Sequence, residues 1–204
     1  MGKILTKIMH HVIRFCYPYF KDIEEEKRLE SETQLRSKFR HIGLCCHLGE
    51  KPFVHNPENI TIGNRFYANR FLRLETILDY GGKKYNPRMN IGNDVFLSDY
   101  VHIGCAESVT ICDGCLIASK VFITDHYHGN ITINEIETRP NNRPLSCKPV
   151  FIGSNVWLGD NVSVMPGVSL GDNVIVGANS VVTKSFPANV VIAGCPAKII
   201  KELK

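Results

Sequence analysis

The sequence predicts an all-β solenoid of about six triangular coils, preceded by a helical segment and closed by a short C-terminal helix. Three observations carry this expectation. First, an aliphatic residue returns every six positions, as Ile152, Leu158, Val164, Leu170, Val176 and Val182. A period of six fits neither the 3.6 of a helix nor the alternation of an isolated strand; it marks a short internal repeat. Second, the register runs backwards in triplets: Ile42, Leu48, Val54; Ile62, Ala68, Leu74; Ile91, Leu97, Ile103; Ile111, Ile117, Ile123. Third, extra residues enter only between triplets, where the step becomes 8, 17, 8 and 29. Three units therefore make one turn, and every insertion leaves from the same corner.

Within each unit about four residues can form a short strand while two turn the corner. Gly, Asn and Asp after the anchors, as in Gly159-Asp160-Asn161, supply the backbone angles a corner needs at low steric cost. Eighteen anchors, each worth roughly 1.5–3 kcal/mol on burial, give the 204 residues one sizeable core. The chain divides into a helical segment, 1–41, and the repeat domain, 42–204, whose tail from 199 to 204 is expected to be helical.

Residues 1–41 lie outside the repeat. Ile4, Ile8, Val12 and Cys16 recur at helical spacing, Leu5, Met9 and Ile13 widen the stripe, and Pro18 should end the helix. Residues 1–21 carry Lys3, Lys7, Arg14 and Lys21 without an acid. The first expectation is that it caps or packs against the solenoid; the second is peripheral contact of residues 1–21 with an anionic membrane. Residues 22–40 mix both signs of charge and read as a solvated helix.

Composition narrows the function. A net charge of +4 and the absence of any recognisable module give no case for nucleic acid. No apolar run approaches the ~20 residues of a membrane span and no signal-type cleavage site follows an apolar core, so the expected location is the cytoplasm, with the inner membrane face as the alternative. The eight cysteines are scattered, and Cys112-x-x-Cys115 is the one metal-like spacing, with no second pair to complete it. Reduced thiols and no metal are expected. Two excursions leave the shared corner. The first, with Asp79-Tyr80-Gly81-Gly82-Lys83-Lys84-Tyr85, reads as a flexible basic finger; the second, about 124–149, opens T-D-H-Y-H-G-N. A long excursion from a compact coil is usually a functional loop.

The repeat, the loop opening with His126, and the ending G-A-N-S-V-V-T-K with I-A-G-C-P-A-K resemble the left-handed β-helix acyltransferases. The run I-A-S-K-V-F-I-T-D-H-Y-H-G followed by R-P-L is most similar to the lipopolysaccharide O-antigen O-acetyltransferases. Handedness comes from that resemblance, since parallel crossovers elsewhere are overwhelmingly right-handed. Galactoside and maltose acetyltransferases share the plan but usually carry an N-terminal helical domain that residues 1–41 do not obviously match.

The resemblance implies a homotrimer with sites between subunits, acetyl-CoA as co-substrate, and transfer to a sugar hydroxyl. His126 takes the role of general base, a task that suits a neutral imidazole at pH 7, with His128 its competitor and Asp125 able to orient the ring. The motif suggests no nucleophilic cysteine, so transfer is expected to be direct. Trp157, Ser98 and Asp99 fall at acceptor-contact positions, with an interface aromatic and a corner turn as their plain alternatives. Gly159, Asp160 and Ala178 would line the pantetheine groove, and Thr183, Lys184, Lys198 and Lys201 the phosphate end, where cations suit an anion. Galactoside acetyltransferases use arginine where Lys198 and Lys201 stand, so the bidentate fork is lost here.

The sequence is therefore read as an acetyl-CoA-dependent O-acetyltransferase acting on a surface polysaccharide or its precursor. The alternatives are a small acceptor such as a simple sugar, an antibiotic or a metabolite, and a non-catalytic β-helix assembly subunit. A γ-class carbonic anhydrase would need three zinc-binding histidines; His102, His126 and His128 are available without the expected spacing.

Overall fold

The computed structural model describes residues 2–203 except 131, 133, 134 and 136, and of residues 2–5, 7 and 8 the backbone alone. The chain forms two compact units that divide after residue 38.

The first unit is one helix, Gly2–Arg36, which continues through Pro18 instead of ending there. Proline removes one intrahelical donor, but Arg14, whose carbonyl that donor would serve, is exposed, so water can reach it. From residue 22 to 31 the helix is exposed, and it carries ion pairs one turn apart, Arg28–Glu25 at 3.1 Å and Arg36–Glu32 at 3.2 Å. The described apolar residues of the N-terminal stripe, among them Met9, Val12 and Ile13, are exposed.

The second unit is a parallel β coil with three faces. The first face contains His41–Ile42, Ile60–Ile62, Arg88–Ile91, Ser108–Ile111, Val150–Ile152 and Ser169–Leu170. The second runs from Tyr67–Ala68 through Phe96–Leu97, Leu116–Ile117, Trp157–Leu158 and Ile175–Val176 to Val190–Gly194. The third stacks Phe53–His55, Arg73–Thr76, His102–Cys105, Phe122–Thr124, Ser163–Val164 and Val181–Val182. Anchors meet anchors in register: Ile62 opposes Ile91, Ile91 opposes Ile111, and Ile111 opposes Ile152 on the first face. On the third face Leu74, Ile103, Ile123 and Val164 form the same column.

Burial explains the repeat. Ile42 and Val54, in the first coil, are half-buried, and every other anchor is buried. A second inward residue stands two positions before the anchor, as Val150 before Ile152 and Val156 before Leu158, and these are buried too. Each unit thus turns two side chains into the axis, the spacing of alternate residues on a strand. At the corner between the first and second faces, side-chain carbonyls and carboxylates accept from the coil below: Asn64 Oδ1 from Leu44 N at 2.9 Å and Asn93 Oδ1 from Asn64 N at 2.8 Å. This ladder satisfies corner amides that the sheets leave unpaired.

The tail differs from expectation. Ala197–Glu202 is a strand, not a helix, and pairs antiparallel with Val190–Gly194. The β-branched Ile199 and Ile200 suit a strand, and the open edge of Val190–Gly194 offers backbone groups that the chain can reach after the turn at Gly194. Residue 204 lies outside the described residues.

Both excursions have structure at their roots. The first is a hairpin, Asp79–Tyr80 against Lys83–Lys84, turning at Gly81 and Gly82, both with positive φ. It is anchored rather than free: a Cβ at Gly81 would lie 2.5 Å from the Arg143 carbonyl oxygen, and the Tyr85 hydroxyl accepts from Leu145 N at 2.6 Å. The second is closed at its base, where His126–His128 pairs antiparallel with Leu145–Cys147.

Candidate active site

The third face and the two excursions enclose a cleft of about 380 Å³, lined among others by Glu75, His102, Gly104, Thr124, His126 and His128. His126 enters it because Phe122–Thr124 ends at Thr124 and the chain turns outward at Asp125. Asp125 is completely buried. Its carboxylate accepts from the backbone N–H groups of Ala106, Glu107 and Ser108 at 2.8, 2.7 and 2.8 Å. Its Oδ1 also lies 2.8 Å from His126 Nδ1.

Burial pushes the Asp125 carboxyl up, but the imidazole and the backbone donors outweigh it and hold the group below the usual carboxylate range. An ionised Asp125 can only accept, so in the neutral ring Nδ1 carries the proton and Nε2 the lone pair. Thr124 Oγ1, 3.2 Å from Nδ1, braces the same side of the ring. The arrangement fixes the ring in tautomer and orientation, with Nε2 unbonded among the described residues.

A second constellation shares the cleft. Glu75 is held by Arg73 at 2.7 Å and by His102 Nε2 at 2.8 Å. Burial raises the Glu75 carboxyl, but Arg73 and His102 together bring it below its ordinary value. Burial lowers the His102 pKa despite Glu75, which keeps this imidazole neutral. Gly104 separates the two histidines: a Cβ there would stand 3.2 Å from His126 Cε1 and 3.9 Å from His102 Nε2. Sequence reading missed Glu75 and Arg73. The signal was available, because both flank the anchor Leu74 and Arg73 opposes His102 in the sheet register.

The other expected residues do not converge on His126 within one chain. His128 does, its ring edge-on to Tyr80 at 4.9 Å. Trp157 points outward from the second face, 48% exposed. Ser98 and Asp99 follow the second-face strand Phe96–Leu97, and Asp99 is engaged with Arg70 at 2.7 Å while also accepting from Arg70 N at 3.1 Å. Gly159 and Asp160 occupy the same corner two coils on, and Ala178 three coils on. A Cβ at Gly159 would sit 2.7 Å from Ala178 N, and Asp160 Oδ1 accepts from Ser119 N at 2.9 Å. Thr183 and Lys184 are exposed beyond Val181–Val182, with Lys184 over the Phe186 ring at 5.5 Å, and Lys198 and Lys201 are exposed on the antiparallel strand.

Cys105 and Cys147 are the thiols nearest Asp125. Burial and the Asp125 charge push both up, Cys147 to about 11, so neither is a thiolate at neutral pH. None of the eight cysteines is in a disulfide. Among the described residues no group of three or more His, Cys, Asp or Glu could hold a metal ion, and no helix is long and apolar enough to cross a membrane.

Comparison with known proteins adds to this geometry. Residues 149–184 match the family model "Bacterial transferase hexapeptide (six repeats)". An acetyltransferase of Dictyostelium discoideum is 61% identical over 183 residues, 89% of this chain and 88% of the relative. The lipopolysaccharide biosynthesis O-acetyl transferase WbbJ of Escherichia coli K12 is 46% identical over 154 residues, 74% of this chain and 75% of its own. Among solved structures, a galactoside acetyltransferase in complex with coenzyme A superposes with a TM-score of 0.59 at 30% identity, covering 85% of this chain and 70% of that one. With a three-faced parallel coil, a six-residue repeat and relatives of this similarity, the chain belongs to the hexapeptide-repeat acetyltransferases, and its solenoid is the left-handed parallel β-helix of that family.

Proposed function

We propose that this protein is an acetyl-CoA-dependent O-acetyltransferase that acetylates a sugar hydroxyl of a surface polysaccharide or its precursor. The observation that carries the reading is the His126 imidazole held by a buried, ionised Asp125 at 2.8 Å, with Nε2 left free. An acceptor hydroxyl in the cleft gives its proton to Nε2 as its oxygen attacks the thioester carbonyl carbon. The carbon–sulfur bond then breaks, the acetyl ester forms, and the departing sulfur takes the proton from His126. Transfer is direct: the thiols near Asp125 are protonated, Cys105 buried and Cys147 half-buried, which argues against an acetylated cysteine. General-base help of this kind is worth roughly 10²–10⁴-fold.

The sugar class is supported by relatives whose names specify lipopolysaccharide biosynthesis and galactoside as their province. Within one chain Trp157 faces away from the third-face cleft that holds His126. This favours a homotrimer in which a neighbour brings Trp157, Ser98 and Asp99 towards His126. The corner with Gly159, Asp160 and Ala178 would then take the pantetheine arm, close to the backbone because the residues are small. Thr183, Lys184, Lys198 and Lys201 would meet the phosphates as exposed donors.

The test is free-thiol release from acetyl-CoA with a panel of sugars and oligosaccharides, for wild type and His126→Ala. Sugar-dependent release that falls at least about a hundredfold in the variant is expected. Unchanged turnover in His126→Ala would remove the base assignment. No binding of acetyl-CoA would remove the enzyme reading and leave an assembly subunit.

A further inference from the structure

The helix Gly2–Arg36 changes chemistry near residue 22. Before it stand Lys3, Lys7, Arg14 and Lys21 and no acid; from 22 to 32 come Asp22, Glu24, Glu25, Glu26, Glu30 and Glu32 against Lys27 and Arg28. Steps of about 100° per residue bring positions 3, 7, 14 and 21 onto one narrow line. Met9, Val12, Cys16, Tyr19, Phe20 and Ile23 fall on the opposite side, and with Ile13 and Phe15 the apolar arc spans about half the circumference. Apart from the half-buried Cys16 these residues are exposed, Val12 by 54% and Phe20 by 64%.

The width of the arc and the position of the charge identify the occupant. A coiled-coil partner needs a narrow seam of about two residues in seven, and this arc is broader and rich in aromatics. A bilayer surface takes a broad arc, with aromatic rings at headgroup depth. The cation line is only a helix diameter from that surface, about 10 Å, which is about one Debye length at 0.1 M salt. Its attraction is therefore felt by anionic headgroups, while the acidic stretch after residue 22 is repelled. No helix of the described residues can span a membrane, so the contact lies in the plane.

We propose that residues 2–21 are an in-plane anchor that binds this chain to an anionic lipid bilayer. The anchor does not rest on the acetyl-transfer reading, and its test needs no acceptor.

The full chain is co-sedimented with phosphatidylcholine vesicles and with vesicles containing about one quarter phosphatidylglycerol, at about 0.1 M and 0.5 M salt. Binding to the anionic vesicles at the lower salt is expected, with loss on neutral vesicles and at the higher salt. Each unit of charge near such a surface is worth roughly fivefold, so Arg14→Glu with Lys21→Glu should weaken binding at least about a hundredfold. Met9→Ser with Phe20→Ser should abolish it through the apolar side. Lys27→Glu with Arg28→Glu, beyond the anchor, should leave binding intact, and circular dichroism should show helix content kept in all three. No vesicle binding, equal binding to neutral vesicles, retention in the Arg14/Lys21 variant, or pelleting without vesicles through self-association would each overturn the anchor.

Discussion

Asp125→Asn isolates the feature on which the proposed chemistry depends. The carboxylate takes N–H groups from Ala106, Glu107 and Ser108 and from the His126 ring, all at 2.7–2.8 Å. An asparagine has one accepting oxygen. If its NH₂ faces Glu107 and Ser108, two backbone donors meet a donor. If it faces Ala106 and His126 instead, those two amides stay satisfied but Nδ1 must accept, and the ring proton moves to Nε2. The second orientation costs less, because it leaves only the Ala106 N–H opposed. That is worth about 1–3 kcal/mol of stability. The enzyme therefore folds with a ring that can no longer accept a proton, and kcat should fall roughly 10²–10⁴-fold, as for loss of a general base.

The pH dependence supplies a second readout. Asp125 is held below its ordinary pKa in the folded protein. Its contribution to stability is present above the unfolded value, about 3.9, and is lost as pH falls from there through the folded value. Asp125→Asn should flatten that acid limb of the stability curve. Thiol-release kinetics and thermal unfolding at pH 7 and below pH 4 measure both effects. A variant within about threefold of wild-type kcat would refute the tautomer argument, since the geometry predicts at least a hundredfold loss.

Gly104→Ala places a methyl 3.2 Å from His126 Cε1, so the ring must shift by a few tenths of an ångström; kcat should drop about tenfold while unfolding in urea changes little. An unaltered kcat would mean that the ring position is not critical. Glu75→Gln removes the charge that Arg73 and His102 hold, and acceptor KM should rise more than acetyl-CoA KM if this pair faces the acceptor; equal changes in both would count against it. Lys120 is exposed with φ 59°, the conformation that Asn161 and Asn179 hold on the same corner, so Lys120→Asn should stabilise by up to about 1 kcal/mol, with a lower urea midpoint as the contrary result. A thiol reagent at pH 8 should modify the exposed Cys45 and Cys195 well before Cys115 and Cys147, whose thiols burial pushes up to about 11; peptide mapping of early labelling reads the order.

The coil was legible because each anchor is forced into the axis, and a buried position tolerates few residue types. Ile111, Ile117 and Ile123 therefore stand out at any distance along the chain. The second inward position was less visible because it accepts unlike residues, from Met89 and Phe66 to Cys115 and Ser180. Ser180 survives there because its hydroxyl bonds to Gly177 O and accepts from Gly194 N. Pro18 and the tail misled for a related reason: local propensity ends a helix at proline and says nothing of the edge that Ile199 and Ile200 cover.

The sequence by itself determined the three-unit turn and the corner from which the excursions leave. These depend on burial and on short-range order, both written in residue type and spacing, whereas the preference for His126 over His128 came from the family resemblance. The tertiary structure alone decided that Asp125 is a buried carboxylate in a nest of amides, that Glu75 meets His102 from 27 positions away, and that Trp157 lies on a different face from His126. Each of these follows from the stacking of coils, which joins residues by register rather than by neighbourhood in the chain.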